Sequence, residues 1–153
     1  MKQKLFTIVS IIFFACLTIM PAAISEKDDG TLYKEELLLT TTTDKSKYIV
    51  GETVNMELAV EQIYGEETYI FKSSQRFDFE IYYEDELIWR WSDDKFFLAV
   101  MGYEYLCKED PMRIYDASWD SSEVKPGIYS LKGIWTCVDP LEYPYDWTEF
   151  ELE

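Results

Sequence analysis

Ser73-Ser74-Gln75-Arg76-Phe77-Asp78-Phe79-Glu80-Ile81-Tyr82-Tyr83-Glu84-Asp85-Glu86-Leu87-Ile88-Trp89-Arg90-Trp91-Ser92-Asp93-Asp94-Lys95-Phe96-Phe97 decides the fold. Phe77, Phe79, Ile81 and Tyr83 alternate with Asp78, Glu80 and Tyr82, the period-2 pattern of a strand with one buried and one wet face. A short acidic turn follows, and residues 87–92 return as a second strand that puts Leu87, Trp89 and Trp91 on one face. The stretch therefore reads as a hairpin. Its aromatic face, Phe77, Phe79, Trp89 and Trp91, requires an opposing apolar layer and is assigned to the core.

Working outward, residues 54–60 supply that layer's clearest partner. Val54, Met56, Leu58 and Val60 share a face, with Asn55, Glu57 and Glu61 on the other. Residues 32–43 are apolar and then Thr-rich, which suits a first strand. Gly65-Glu66-Glu67 reads as a turn and residues 68–71 as a short strand. Residues 98–108 are aromatic without clean alternation, so a loop, an irregular strand and a helical turn all remain open. Residues 111–119 resume as a strand. After a turn ending in Pro126-Gly127, residues 128–136 form another, with Tyr129, Leu131, Gly133 and the core residue Trp135 on one face. Residues 147–152 suit a last strand. About seven or eight short strands without βαβ spacing indicate an all-β, antiparallel β-sandwich, with a small β-barrel as the alternative.

The 153 residues carry 14 basic and 30 acidic side chains, a net charge of −16, and no histidine. Such a field repels nucleic acid and favours basic partners. Because the acids are interleaved with aromatics, they read chiefly as solvated strand faces. Without histidine no Ser-His-Asp or Cys-His arrangement can be built, so no catalytic residue is assigned and the chain is read as a non-enzyme. A Cys-His zinc site is excluded as well. Asp93-Asp94 with Asp116 or Asp120 offers oxygen ligands but no EF-hand spacing, and neither a metal site nor a cofactor is expected.

The N-terminus looks like a targeting segment. Lys2 and Lys4 precede an apolar run ending at Met20, and Pro21-Ala22-Ala23-Ile24-Ser25 supplies a breaker and small residues. Residues 1–25 are expected to be a signal peptide cleaved after Ser25, giving a secreted chain. An uncleaved N-terminal membrane anchor is the alternative. Residues 26–47 would form a leader and first strand, and 48–153 the sandwich domain with an extra C-terminal segment. In an exported chain, Cys107 and Cys137 would form a disulfide closing a loop of about 31 residues, with two separately buried thiols as the alternative.

Gly51-Glu52 before the 54–60 strand, Ser73-Ser74-Gln75-Arg76-Phe77-Asp78-Phe79, Trp89-Arg90-Trp91-Ser92-Asp93 with Phe96-Phe97 behind it, Trp119-Asp120 and Pro126-Gly127-Ile128-Tyr129 together resemble the bacterial intracellular proteinase inhibitor family (BsuPI-type domain). The resemblance runs over residues 48–135. It implies an immunoglobulin-like sandwich and inhibition of subtilisin-like serine proteases, and it supplies no reactive loop. This chain lacks the family's usual glycine in the turn of the central hairpin, where Glu84-Asp85-Glu86-Leu87 stands instead.

The expected function is protein binding, with a serine protease as the first partner and occlusion of its cleft as the mechanism. A secreted or surface-located structural or regulatory interaction module that inhibits nothing is the alternative. Arg76, Asp78 and Arg90, on the polar face of the hairpin, would either pair within the chain or meet the partner. Ser92, Asp93 and Asp94 open the loop that completes the candidate surface. The loops 92–97 and 103–111 are the segments expected to engage.

Overall fold

The computed structural model describes residues 37–138 and 143–153. All of them belong to the unit Tyr33–Glu153. The ten strands among the described residues are β1 (Leu37–Thr43), β2 (Lys47–Tyr48), β3 (Thr53–Gln62), β4 (Glu67–Phe71), β5 (Phe77–Tyr83), β6 (Glu86–Arg90), β7 (Gly102–Leu106), β8 (Met112–Asp120), β9 (Gly127–Trp135) and β10 (Tyr145–Leu152). A single 3-10 turn, Trp91–Asp94, follows β6. The expected signal peptide, residues 1–25, and the first half of the 26–47 leader, residues 26–36, lie outside the described residues.

The strands form a three-stranded sheet, β1-β3-β8, a five-stranded sheet, β2-β10-β9-β5-β6, and a two-stranded ribbon, β4-β7. All pairs are antiparallel except the short β10–β2 pair. The chain is an immunoglobulin-like all-β sandwich and not a closed barrel. Val54, Met56, Leu58 and Val60 of β3 are buried and face Phe79 and Ile81 of β5, Tyr129, Leu131 and Trp135 of β9, and Phe150 and Leu152 of β10 in one core cluster. Each such side chain contributes on the order of 1.5–3 kcal/mol by leaving water. Alternation in β3 is enforced by this one-sided burial, since its outward residues are mostly exposed. At Gly133 a Cβ would run into the Thr41 side chain, so glycine lets β1 close onto β9.

One open reading is decided and three expectations change. Residues 98–108 contain β7, which pairs residue by residue with β4, from Glu67 opposite Leu106 to Phe71 opposite Gly102. The second strand of the hairpin ends at Arg90, and Trp91 opens the 3-10 turn. A bulge in the β5–β6 register sets Trp89 opposite Ile81 but Leu87 opposite Tyr82. The extra residue flips one side of the strand, so Leu87 faces outward with Tyr82 while Trp89 turns inward. Phe77, Trp89 and Trp91 are accordingly half-buried and packed against the core, whereas Phe79 and Trp135 are fully buried.

The expected disulfide is also corrected. No disulfide joins Cys107 and Cys137. Cys137 bridges to Phe71 at one end of the β4–β7 ribbon, and Cys107 follows Leu106 at the other. Five residues of extended chain hold them roughly 17 Å apart along the strand direction. A disulfide needs Cα atoms within about 7 Å.

Candidate functional site

The site is assembled from the hairpin's outward face and the loop behind it. Although Asp78 and Glu80 alternate with apolar residues as solvated positions do, both are buried, at 7% and 6% exposure. The reason is cover from elsewhere in the chain. Asp78 Oδ1 accepts the N–H groups of Phe79 at 2.9 Å and Ser92 at 3.1 Å. Its Oδ2 accepts the Ser92 hydroxyl at 2.5 Å and the Gln75 side-chain amide at 3.1 Å. Burial pushes this carboxyl up, partly opposed by the four hydrogen bonds.

Glu80 Oε1 accepts Arg90 Nε at 2.9 Å and Nη2 at 2.7 Å, and Oε2 accepts the Tyr82 hydroxyl at 2.6 Å. Burial raises its carboxyl, but these donors and the charges of Arg90 and Lys132 outweigh it and hold the group below the usual glutamate value. Burial, with Glu80 alongside, pushes the Tyr82 hydroxyl up to about 12. Register places Trp147, Lys132, Glu80 and Arg90 side by side across β10, β9, β5 and β6. The Lys132 ammonium lies 5.4 Å from the Trp147 ring and 4.2 Å from that of Tyr145.

Arg76 belongs to a different cluster. Its Nε is 3.2 Å from Glu104 Oε1, its Nη1 donates to the Ser73 carbonyl at 2.9 Å, and its guanidinium lies 4.5 Å over the Phe71 ring. Gly102 makes room, since a Cβ there would overlap the guanidinium. Glu104 Oε2 also accepts the Tyr115 hydroxyl at 2.8 Å, and that hydroxyl accepts Trp135 Nε1–H at 3.1 Å. Burial, reinforced by Glu104, raises the Tyr115 hydroxyl far above its ordinary value.

Arg76, Asp78, Arg90 and Ser92 are thus occupied within the domain. Arg90 pairs with Glu80, Arg76 with Glu104, and Asp78 with Ser92, so the carboxylate partners of both arginines lie elsewhere than Asp78. Asp93 and Asp94 are open to solvent. The segment 103–111 is β7 and a tight turn in which Cys107 and Asp110 exchange backbone hydrogen bonds, without the stiffening disulfide.

The loop after Asp94 has a different character. Phe96 is wholly exposed at 102%, Leu98 is 68% exposed and Met101 60%, with Val100 also open. The loop is held at Lys95 and at Leu98. Lys95 N–H donates to the Ser92 carbonyl at 3.1 Å, and the Lys95 ammonium lies 4.6 Å from the Trp91 ring. The Trp91 ring is 4.3 Å from Phe77 and 5.9 Å from Phe97. Leu98 N–H donates to Ser74 Oγ at 2.9 Å, while Ser74 N–H donates to the Leu98 carbonyl at 2.9 Å. Beside this loop a groove of about 820 Å³, lined by Trp89, Trp91, Trp119 and Val124, opens between β6 and β8. Sequence reasoning reached Phe96 and Phe97 but not residues 98–101. Their one signal is an apolar run that lacks strand alternation.

A family model described as intracellular proteinase inhibitor (BsuPI) matches residues 41–139. The chain belongs to this family. The match runs from the end of β1 through β9 and therefore includes the Asp78–Ser92 contact and the apolar loop. The family's intracellular description corrects the expectation of a secreted or membrane-anchored chain. That expectation rested on a short apolar run in residues 1–25.

No curated protein matches this BsuPI chain in sequence. Among solved structures it is similar to Spo0M, a sporulation control protein from Bacillus subtilis, at 13% identity and a TM-score of 0.50, over 77% of this chain and 49% of that one. The chain thus spans about half the length of that protein. It is also similar to the CARDB domain of a Pyrococcus furiosus protein in complex with di-metal ions (12% identity, TM-score 0.45, 76% of this chain and 87% of that one). A β-glucosidase from Listeria innocua matches at 12% identity and a TM-score of 0.44, over 76% of this chain and 16% of that one. At these identities the likeness concerns the fold alone.

Proposed function

We propose that this BsuPI domain is a non-enzymatic inhibitor of a subtilisin-like serine protease, acting by occlusion of the active-site cleft with the loop 95–101. The observation that carries the reading is the exposure of Phe96 on a segment held at Lys95 and Leu98, with Leu98, Val100 and Met101 also open, in a member of a proteinase inhibitor family. Exposed apolar side chains grouped in one place mark interaction sites. Pinning lowers the ordering cost of binding, because Ser74 already holds Leu98 and Trp91 already seats Phe97. The buried bonds of Asp78 to Ser92 and of Glu80 to Arg90 act as scaffold, holding the hairpin from which the loop departs.

Purified protein is titrated against a panel of subtilisin-like proteases with a small chromogenic substrate. Loss of activity at near-equimolar protein is expected. Full activity at tenfold excess across the panel rejects the inhibitor reading and leaves a structural or regulatory interaction module.

A further inference from the structure

We infer that Phe96 is the side chain that enters the primary specificity pocket, so that the target is an endopeptidase with a deep apolar pocket. This rests on the inhibitor reading above.

A substrate-like segment must satisfy three conditions at once: an extended backbone, free main-chain groups to add to the enzyme's own strand, and an outward side chain at the position that is read. Lys95 is extended, with φ −115° and ψ 153°. From it, exposure alternates: Lys95 and Phe97 are half-buried while Phe96 and Leu98 are exposed. Phe97 turns inward onto Trp91, which directs Phe96 outward.

The two outward residues differ in their main chains. Leu98 uses both its N–H and its carbonyl on Ser74. Phe96 and Phe97 have no backbone hydrogen bond among the described residues, so the amide groups on both sides of the Phe96–Phe97 peptide bond are free to pair with an enzyme strand. Beyond Leu98 the chain bends at Ala99 and Val100, which ends the extended stretch. Phe96 combines an open side chain with a backbone that makes no hydrogen bond among the described residues, directly after the extended Lys95.

The test compares the unmodified protein, Phe96→Ala and Phe96→Lys against subtilisin, whose primary pocket is apolar, and trypsin, whose pocket ends in a carboxylate. Folding of each variant is checked by thermal unfolding, which a wholly exposed residue should leave unchanged. The unmodified protein is expected to inhibit subtilisin, Phe96→Ala to weaken inhibition on the order of 100-fold, as loss of a central aromatic anchor does, and Phe96→Lys to move inhibition toward trypsin. If Phe96→Ala inhibits subtilisin as well as the unmodified protein does, the assignment of Phe96 is overturned while the inhibitor reading stands. If the unmodified protein inhibits neither enzyme, nor any in the wider panel, the reading falls and takes this assignment with it.

Discussion

The Asp78 carboxylate receives both the hydroxyl, at 2.5 Å, and the main-chain N–H, at 3.1 Å, of Ser92, fourteen residues further along the chain. This contact ends β6 and turns the chain into the 3-10 turn from which the apolar loop departs. It links the interior of the sandwich to its most exposed side chains.

Removing that carboxylate should therefore both destabilise the domain and loosen the loop. Asp78→Ala leaves the Phe79 and Ser92 N–H groups without their acceptor, at a cost of about 2–3 kcal/mol, and Ser92→Ala should cost about 1 kcal/mol. Urea unfolding measures both. Limited proteolysis at residues 95–101 should be faster in Asp78→Ala even under conditions where the variant is fully folded.

Acid should attack the Glu80–Arg90 pair. The Glu80 carboxyl lies below its ordinary value of 4.5 in the folded protein, so its stabilisation is present above that value and is lost as pH falls through the folded one. Asp78 acts in the opposite sense. Its raised carboxyl adds stability below the ordinary aspartate value of 3.8, and that contribution is lost as pH rises through the folded value. Glu80→Gln should lower stability by about 1–2 kcal/mol at pH 7, Arg90 being partly solvated, and should flatten the stability profile below pH 4.5. Denaturant midpoints taken from pH 7 to pH 3 test this, and an unchanged acid limb counts against it.

The hairpin turn stores strain that a single substitution should release. Glu84 and Asp85 occupy a two-residue loop with φ of 50° and 65°. Side chains other than glycine pay a steric penalty in this left-handed region, and the two-residue turn favours glycine at its second position. Asp85→Gly should raise stability by about 0.5–1 kcal/mol, after the extra freedom glycine has in the unfolded chain is counted. A thermal midpoint at or below that of the unmodified protein would contradict this.

Thiol chemistry should separate the two cysteines. Cys107 is half-buried and Cys137 buried, and the ribbon geometry keeps them apart. Under native conditions an alkylating reagent should modify Cys107 first and reach Cys137 only on unfolding. Peptide mapping reads the order, and recovery of a Cys107–Cys137 disulfide from non-reduced protein would refute the placement.

The sandwich was legible because its signal is local. In residues 54–60 the apolar side chains recur every second position, and the same holds in the first half of the hairpin, so one buried face follows from the pleat alone. The apolar run 98–101 was harder to read. An apolar side chain on an exposed loop and one in a core look alike in sequence, and only neighbours supplied by other segments distinguish them.

By itself, the sequence determined a two-layered β fold, the position of its central hairpin and, through the absence of histidine, the exclusion of histidine-based catalysis. Tertiary structure alone decided which hairpin side chains are covered. Asp78 is buried because the 3-10 turn folds back over it, Glu80 because Arg90 and Tyr82 reach across it, and Leu87 is turned outward by a bulge. The physical reason is that alternation sorts side chains between two faces. Whether a face is wet or dry depends on which distant residues come to lie on it, and for Phe96 none does.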